Sequence, residues 1–237
     1  AAVVTTSTGT GSLVFATSPT LVTPALGVAS ATSMQLGANG LLDTNSNAIL
    51  KLSATASAVN EFTVANAATA SSPTLSVTGT DTNILATING KGTSGCGIQG
   101  CSTNSNAVAG YVGELISSVI PVASAVALTN NTATNITSIS LTAGDWDVFG
   151  HVTLSSTTVT LENAVCWVSL TSATTPANGL ASQWFTTGVG TFIIQMTQNT
   201  PYFRASLSAT TTVYLSGYMF STGTNTGWGG IYARRVR

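Results

Sequence analysis

Asp145 and Asp147 stand two residues apart in Gly144-Asp145-Trp146-Asp147. On a strand their side chains point the same way, roughly 7 Å apart, within the ~5–9.5 Å range that paired carboxylates use in glycoside hydrolysis. The competing reading places them at the start of a strand, solvated or bonded to turn amides, and it is the preferred one. Glu114 and Glu162 are too distant in sequence to be assigned as partners. His151, the single histidine, shares the Asp147 face four residues on. A hydrolytic triad would also need a nucleophile in a Gly-x-Ser-x-Gly turn, which is not in the sequence. Three copies of His151 around an axis could ring a metal, but one histidine without His-x-His spacing makes no site. The expectation is no catalytic residue, no metal and no cofactor.

The remaining chemistry is that of binding. Arg234, Arg235 and Arg237 form the only basic cluster. Guanidinium forks suit an anionic sugar or a phosphate, yet pairing between subunits with Asp145, Asp147 or Glu162 explains them better. Trp184, Trp228 and Tyr232 are candidates for stacking on sugars. Trp184 follows Pro176-Ala177-Asn178-Gly179, and Trp228 sits in Thr226-Gly227-Trp228-Gly229-Gly230, where little else would bury it. Loops on a rigid scaffold usually carry recognition. The expected binding residues are therefore Trp184, Trp228, Tyr232 and Arg234. Cys96 and Cys101 could close a small loop, clasp two chains, or fill space as small apolar residues where chains crowd, the last being preferred. Cys166 alternates with Val168 and Leu170 as a core residue would.

These side chains must be positioned by strands. Trp146, Val148, Gly150, Val152 and Leu154 alternate with Asp145, Asp147, Phe149, His151 and Thr153, the period-2 pattern of a half-buried strand. Further strands are predicted over 136–141, 159–170, 191–197, 202–208, 212–220 and 230–236. Ala143-Gly144, Pro176–Gly179 and Gly223-Thr224-Asn225 mark turns. Many short strands at regular spacing argue for an antiparallel sandwich or jelly roll over 111–237. No helical periodicity persists for three turns, so the chain is expected to be all-β.

Residues 1–110 differ in kind. They hold 2 of the 16 aromatic residues, Phe15 and Phe62, and an aromatic side chain buries on the order of 150–250 Å². A thick core is thus within reach only beyond a boundary placed near Gly110. The first segment reads as Ala/Thr/Val/Ser-rich β structure, broken by Gly37–Gly40, Asp43–Asn47, Thr80–Asn83 and Asn89–Gly92 turns. Ser18-Pro19-Thr20-Leu21 recurs as Ser72-Pro73-Thr74-Leu75, and Asn47–Leu52 resembles Asn83–Ile88. Small-residue β units cannot cover their own apolar side, so partner chains are expected to cover it.

Composition excludes several classes. Of 237 residues only 13 are charged, 6 basic and 7 acidic, for a net charge of −1. That leaves no field to steer nucleic acid or an anionic membrane. No apolar run approaches the ~18 residues of a membrane helix, and no signal peptide is evident. Thr (42) and Ser (28) replace charge as the source of polarity. Three cysteines are too few for a disulfide scaffold. The absent initiator Met points to a fragment whose N-terminal part is missing.

Gly11–Leu21 leading to Thr23-Pro24-Ala25-Leu26-Gly27, and Ser72–Asn83 followed by Gly90-Lys91-Gly92-Thr93, resemble the shaft repeats of tailed-bacteriophage fibres. Thr137–Val148 and the ending Tyr232–Arg237 resemble a phage-fibre tip module. Gly144-Asp145-Trp146 is also similar, more loosely, to the Gly-x-aromatic strand of trimeric C1q/TNF-like jelly rolls. Cys96–Cys101 and the short shaft depart from the pattern.

The resemblance implies a homotrimer located in the virion, with an intertwined trimeric β shaft (1–110) and an antiparallel, jelly-roll-like β-sandwich head (111–237). The head would recognise a host surface glycan or outer-membrane protein, and the shaft would join other tail proteins through the missing N-terminal part. The rivals are a tailspike-type polysaccharide depolymerase and a purely structural spacer or trimerisation tip.

Overall fold

The computed structural model describes residues 40–100, 103–157, 163–185 and 194–237. The chain is all-β: the described residues form fourteen strands and one short 3-10 turn at Val122–Ser124. It divides into two compact units, 1–97 and 98–237. The residues leading up to Gly110 lie on the second side of that division. There the Asn106 carboxamide acts as a surrogate strand for Leu115, accepting from its N–H at 2.9 Å and donating to its carbonyl at 2.8 Å.

The described residues of the first unit form two small hairpins. β1 (Leu41–Leu42) pairs with β2 (Ala48–Leu50) around the Asp43–Asn47 turn. Asp43 Oδ1 accepts the amides of Asn45 (2.9 Å) and Asn47 (2.8 Å), and Ser46 takes a positive φ of 66°. The Asn47 amide holds the Asp43 carboxyl below its ordinary pKa. This is an Asx-type turn, the reason that Asp/Asn-rich pentapeptide reverses the chain.

β3 (Asn60–Ala65) and β4 (Thr74–Gly79) form the second hairpin. One face is polar: Thr63 and Thr78 share a hydrogen bond of 2.6 Å, and Thr78 donates to Glu61 at 2.7 Å. The other face carries the directly opposed pairs Phe62–Val77 and Val64–Leu75. Val64, Leu75 and Phe62 are 81%, 61% and 53% exposed. No described residue of this unit is buried.

The sequence similarity between 47–52 and 83–88 does not extend to structure, since 48–50 is a strand and 83–88 is irregular. Only the first copy has a partner strand, β1, closed on it by the Asp43 turn. The copy at 18–21, the Gly11–Gly27 stretch and most of the Gly37–Gly40 turn lie outside the described residues.

The second unit is sandwich-like. Its strands are β5 (Leu115–Ile120), β6 (Val126–Leu128), β7 (Thr134–Leu141), β8 (Gly144–Ser156), β9 (Asn163–Ser169), β10 (Ser182–Phe185), β11 (Ile194–Asn199), β12 (Phe203–Leu207), β13 (Thr211–Phe220) and β14 (Asn225–Arg235). One sheet has the order β10-β9-β13-β7. The other has β11-β8-β14-β5, with β12 also on β8 and β6 also on β14. All these pairings are antiparallel. A single core lies between the sheets, built from Trp146, Val148, Val152 and Leu154 of β8, Ile231 of β14, Leu215 and Met219 of β13, and Leu141 of β7. The period-2 face predicted for β8 is the face found in the core.

Gly144 opens β8 at φ +139°, and a Cβ there would fall 2.1 Å from Arg235 Nη1. Both facts require glycine at that position. β14 begins at Asn225, five residues earlier than predicted, so Gly227-Trp228-Gly229-Gly230 is strand and not loop. A Cβ on Gly227 would meet Ile136 at 2.8 Å and Leu128 and Leu154 at 3.3 Å. Glycine here serves close approach of strand to core, which in sequence looks the same as a turn signal.

Candidate functional site

β14 steps Trp228, Tyr232 and Arg234 onto one face, the outer face of the six-stranded sheet, because residues two apart share a side. β8 lies beside it with Phe149 opposite Tyr232 and His151 opposite Gly230. The absence of a side chain at Gly230 lets the Tyr232 ring lie across the strand; a Cβ on Gly230 would be 2.9 Å from Tyr232 Oη. In that position Tyr232 stacks on Phe149 (centroids 5.5 Å apart, planes 17° apart) and on His151 (6.0 Å, 20°). Trp228 faces Thr153 one step further along. Phe149 is 51% exposed, and Leu115 and Val119 of β5 are exposed on the same side. The face is an aromatic and aliphatic strip on the outside of the sheet.

Three of the four residues expected to bind are thus brought together, on a sheet and not on loops. Trp184 is elsewhere. It lies on edge strand β10 opposite Ala164, hence on the core-facing side of the other sheet, and is 39% exposed. Arg234 is exposed at the end of the strip. With Phe149, Leu115, Gly113, Asn104 and Ser105 it lines a cavity of about 540 Å³.

The acidic residues are held in place by cations and a phenol. Asp145, almost fully buried, receives a fork from Arg204 (Nε 2.8 Å, Nη2 2.6 Å) and a third contact from Arg237 Nε at 3.1 Å. The Arg204 hydrogen bonds lower its pKa, with the Arg237 charge acting in the same direction. A glycosidase general acid requires the opposite shift. Asp147 accepts the Tyr202 hydroxyl at 2.5 Å, and that bond raises the Tyr202 pKa.

Arg235 turns inward. Its Nε donates to Glu114 at 2.9 Å, its Nη1 to the Ala143 carbonyl at 2.9 Å and its Nη2 to Thr142 at 2.5 Å, while its guanidinium carbon lies 4.2 Å from the Trp146 ring centre. The Gly110 amide, at 2.8 Å, is the main cause of a lowered Glu114 pKa, with Arg235 second. The carboxylates that satisfy Arg235 and Arg237 therefore come from the same chain. Glu162 lies outside the described residues.

Cys166 is buried, and burial pushes its thiol up to about 12, which makes it inert as a nucleophile. Cys96 is exposed and unbridged, and Cys101 lies outside the described residues. Among the described residues no three His, Cys, Asp or Glu side chains converge as metal ligands. Sequence reading missed Arg204, Tyr202 and Phe149. Arg204 alternates with the inward Phe203 and Ala205, so its outward direction was readable, but its partner, fifty-nine residues away, follows only from the β12–β8 register. No protein-family model matches the chain, and no curated protein matches it in sequence.

Proposed function

We propose that the chain is the distal part of a homotrimeric fibre, a β-rich shaft ending in a jelly-roll head, that attaches a virion of the tailed-phage type to a cell surface and performs no catalysis. The observation that carries this reading is the β3–β4 hairpin, whose Phe62, Val64, Leu75 and Val77 share a face that no described residue of its own unit buries. A lone two-stranded hairpin is marginal in water, and each such side chain gains roughly 1.5–3 kcal/mol on full burial. Further copies of the same chain supply that cover.

The head offers a second surface for the same purpose. Its Phe149–Tyr232–His151 strip is flanked by apolar Leu115 and Val119, and Asp145 and Asp147 are already satisfied within the chain. A second copy meeting this face buries aromatic surface without stranding a carboxylate. The jelly-roll reading is supported by the strand order of the two sheets, each of which mixes early and late strands.

Adhesion then follows from multiplicity. Three weak sites on one stalk raise avidity about 10²–10⁴-fold where all can engage. The test compares cell-surface retention of the wild-type chain with Phe149→Asp, which places a charge in the strip. Retention of wild type with loss of about two orders of magnitude in the variant supports the reading. Equal retention of a monomeric variant, or no retention on any envelope preparation, overturns it.

A further inference from the structure

A second cavity, of about 340 Å³, lies at the open edge between the sheets, where the end of β9 meets the start of β12. That volume suits a small ligand. Leu170, Pro176, Leu180 and Phe203 give it an apolar wall, and Thr171, Thr175 and Asn178 stand among the lining residues with no charged side chain.

The loop that forms one side is fixed from below. Asn135 of β7 accepts the Ala173 amide at 2.8 Å and donates to Ser172 Oγ at 2.7 Å, while Ser216 Oγ donates to the same Asn135 at 2.8 Å. Ser169 Oγ donates to the Thr171 carbonyl at 2.6 Å, and Asn178 Oδ1 accepts the Leu180 amide at 3.2 Å. These bonds leave the Thr171 and Thr175 hydroxyls and the Asn178 Nδ2 group without protein partners among the described residues. A ligand that meets this loop meets it already ordered, which reduces the entropy cost of binding.

We infer that this groove binds one ring of a neutral saccharide. A sugar ring is apolar on its C–H face and hydroxylated at its edge. The first matches Phe203 with Leu170 and Leu180; the second matches two threonine hydroxyls and a carboxamide that both donate and accept. A uronic acid or a phosphate would enter a site with no cation to replace its lost water. The inference rests on the adhesive reading and gives it a ligand class. It also moves recognition from Trp184, Trp228, Tyr232 and Arg234, the residues expected to bind from the sequence, to a loop that the strip's self-association leaves open.

The experiment is saturation-transfer NMR followed by titration of the 237-residue chain with the methyl glycosides of glucose, galactose, mannose and N-acetylglucosamine, and of glucuronic acid. At least one neutral glycoside should bind with roughly millimolar affinity, receiving saturation on its ring C–H protons, with the glucuronide weaker. Leu180→Ala should weaken binding about tenfold, Thr175→Trp should block the groove and abolish it, and Trp184→Ala should leave it unchanged. Both groove variants change exposed loop residues, and a thermal melt confirms their folding. No binding by any neutral glycoside, equal binding of the glucuronide, or binding that survives Thr175→Trp overturns the inference. Sedimentation of the same samples separates the two proposals: a trimer that binds no glycoside sinks only the groove, and a monomer that binds one sinks only the self-association.

Discussion

Arg235 is the residue on which the end of the head depends, because one guanidinium joins Glu114, Ala143, Thr142 and the Trp146 ring. Removing one partner of a buried ion pair strands the other, at a cost of about 3–5 kcal/mol. Arg235→Met should therefore lower the unfolding free energy from a denaturant titration by an amount in that range, and Glu114→Gln by less, because the Gln amide still reaches the guanidinium. Glu114 and Asp145 both have pKa values lowered in the fold. Their stabilisation is complete above the unfolded carboxylate range and is lost as pH falls through the folded values. The melting temperature should accordingly drop on acidification below about pH 4, and less steeply in Glu114→Gln. Cys166, raised to about 12 by burial, should resist alkylation at pH 8 in the folded chain and react once denaturant is added, read by peptide mass. Residue chemistry of this kind was only half legible in the sequence. The arginine cluster was visible, but that Arg235 faces inward while Arg234 faces out depends on which side of β14 meets the core.

At the scale of elements, alternation was the dependable signal. β8 could be read from Trp146 to Leu154 because large apolar side chains occupy every second position but Gly150. β14 was misjudged at its start, since Gly227, Gly229 and Gly230 give close packing and room for the Tyr232 ring instead of a turn. β6 and β10 escaped notice because they are short, and β5 because apolar residues stand on both of its faces, Ile116 and Ile120 against the core and Leu115 and Val119 exposed. The repeat between 47–52 and 83–88 did not carry over into a second strand, because β structure needs a partner and sequence similarity does not supply one. Gly144→Ala should destabilise the head by more than the ~1 kcal/mol of an ordinary glycine change, because φ is positive and the Cβ meets Arg235; a thermal melt against Gly179→Ala, where nothing lies within 4 Å, isolates the clash from the φ cost. Val64→Asp, on the uncovered face of β3, should leave the head's melt unchanged and weaken assembly.

For the whole molecule, aromatic content separates the two units. The second unit fills a core and no described residue of the first is buried, a contrast foreshadowed by Phe15 and Phe62 being the only rings before Gly110. What composition could not supply was the exposed strip on the outer sheet face, since Phe149, Tyr232 and His151 meet only through strand register. With 13 charges in 237 residues and the main carboxylates of the head paired within the chain, association should be insensitive to salt, in contrast to assemblies held by ion pairs. The direct measurement is the solution mass of the chain by sedimentation equilibrium at micromolar concentration. A mass of about 71 kDa, three times the 23.8 kDa chain, unchanged in 1 M salt and falling in Val64→Asp and Phe149→Asp, is the predicted result. A single 23.8 kDa species for the wild-type chain would contradict it.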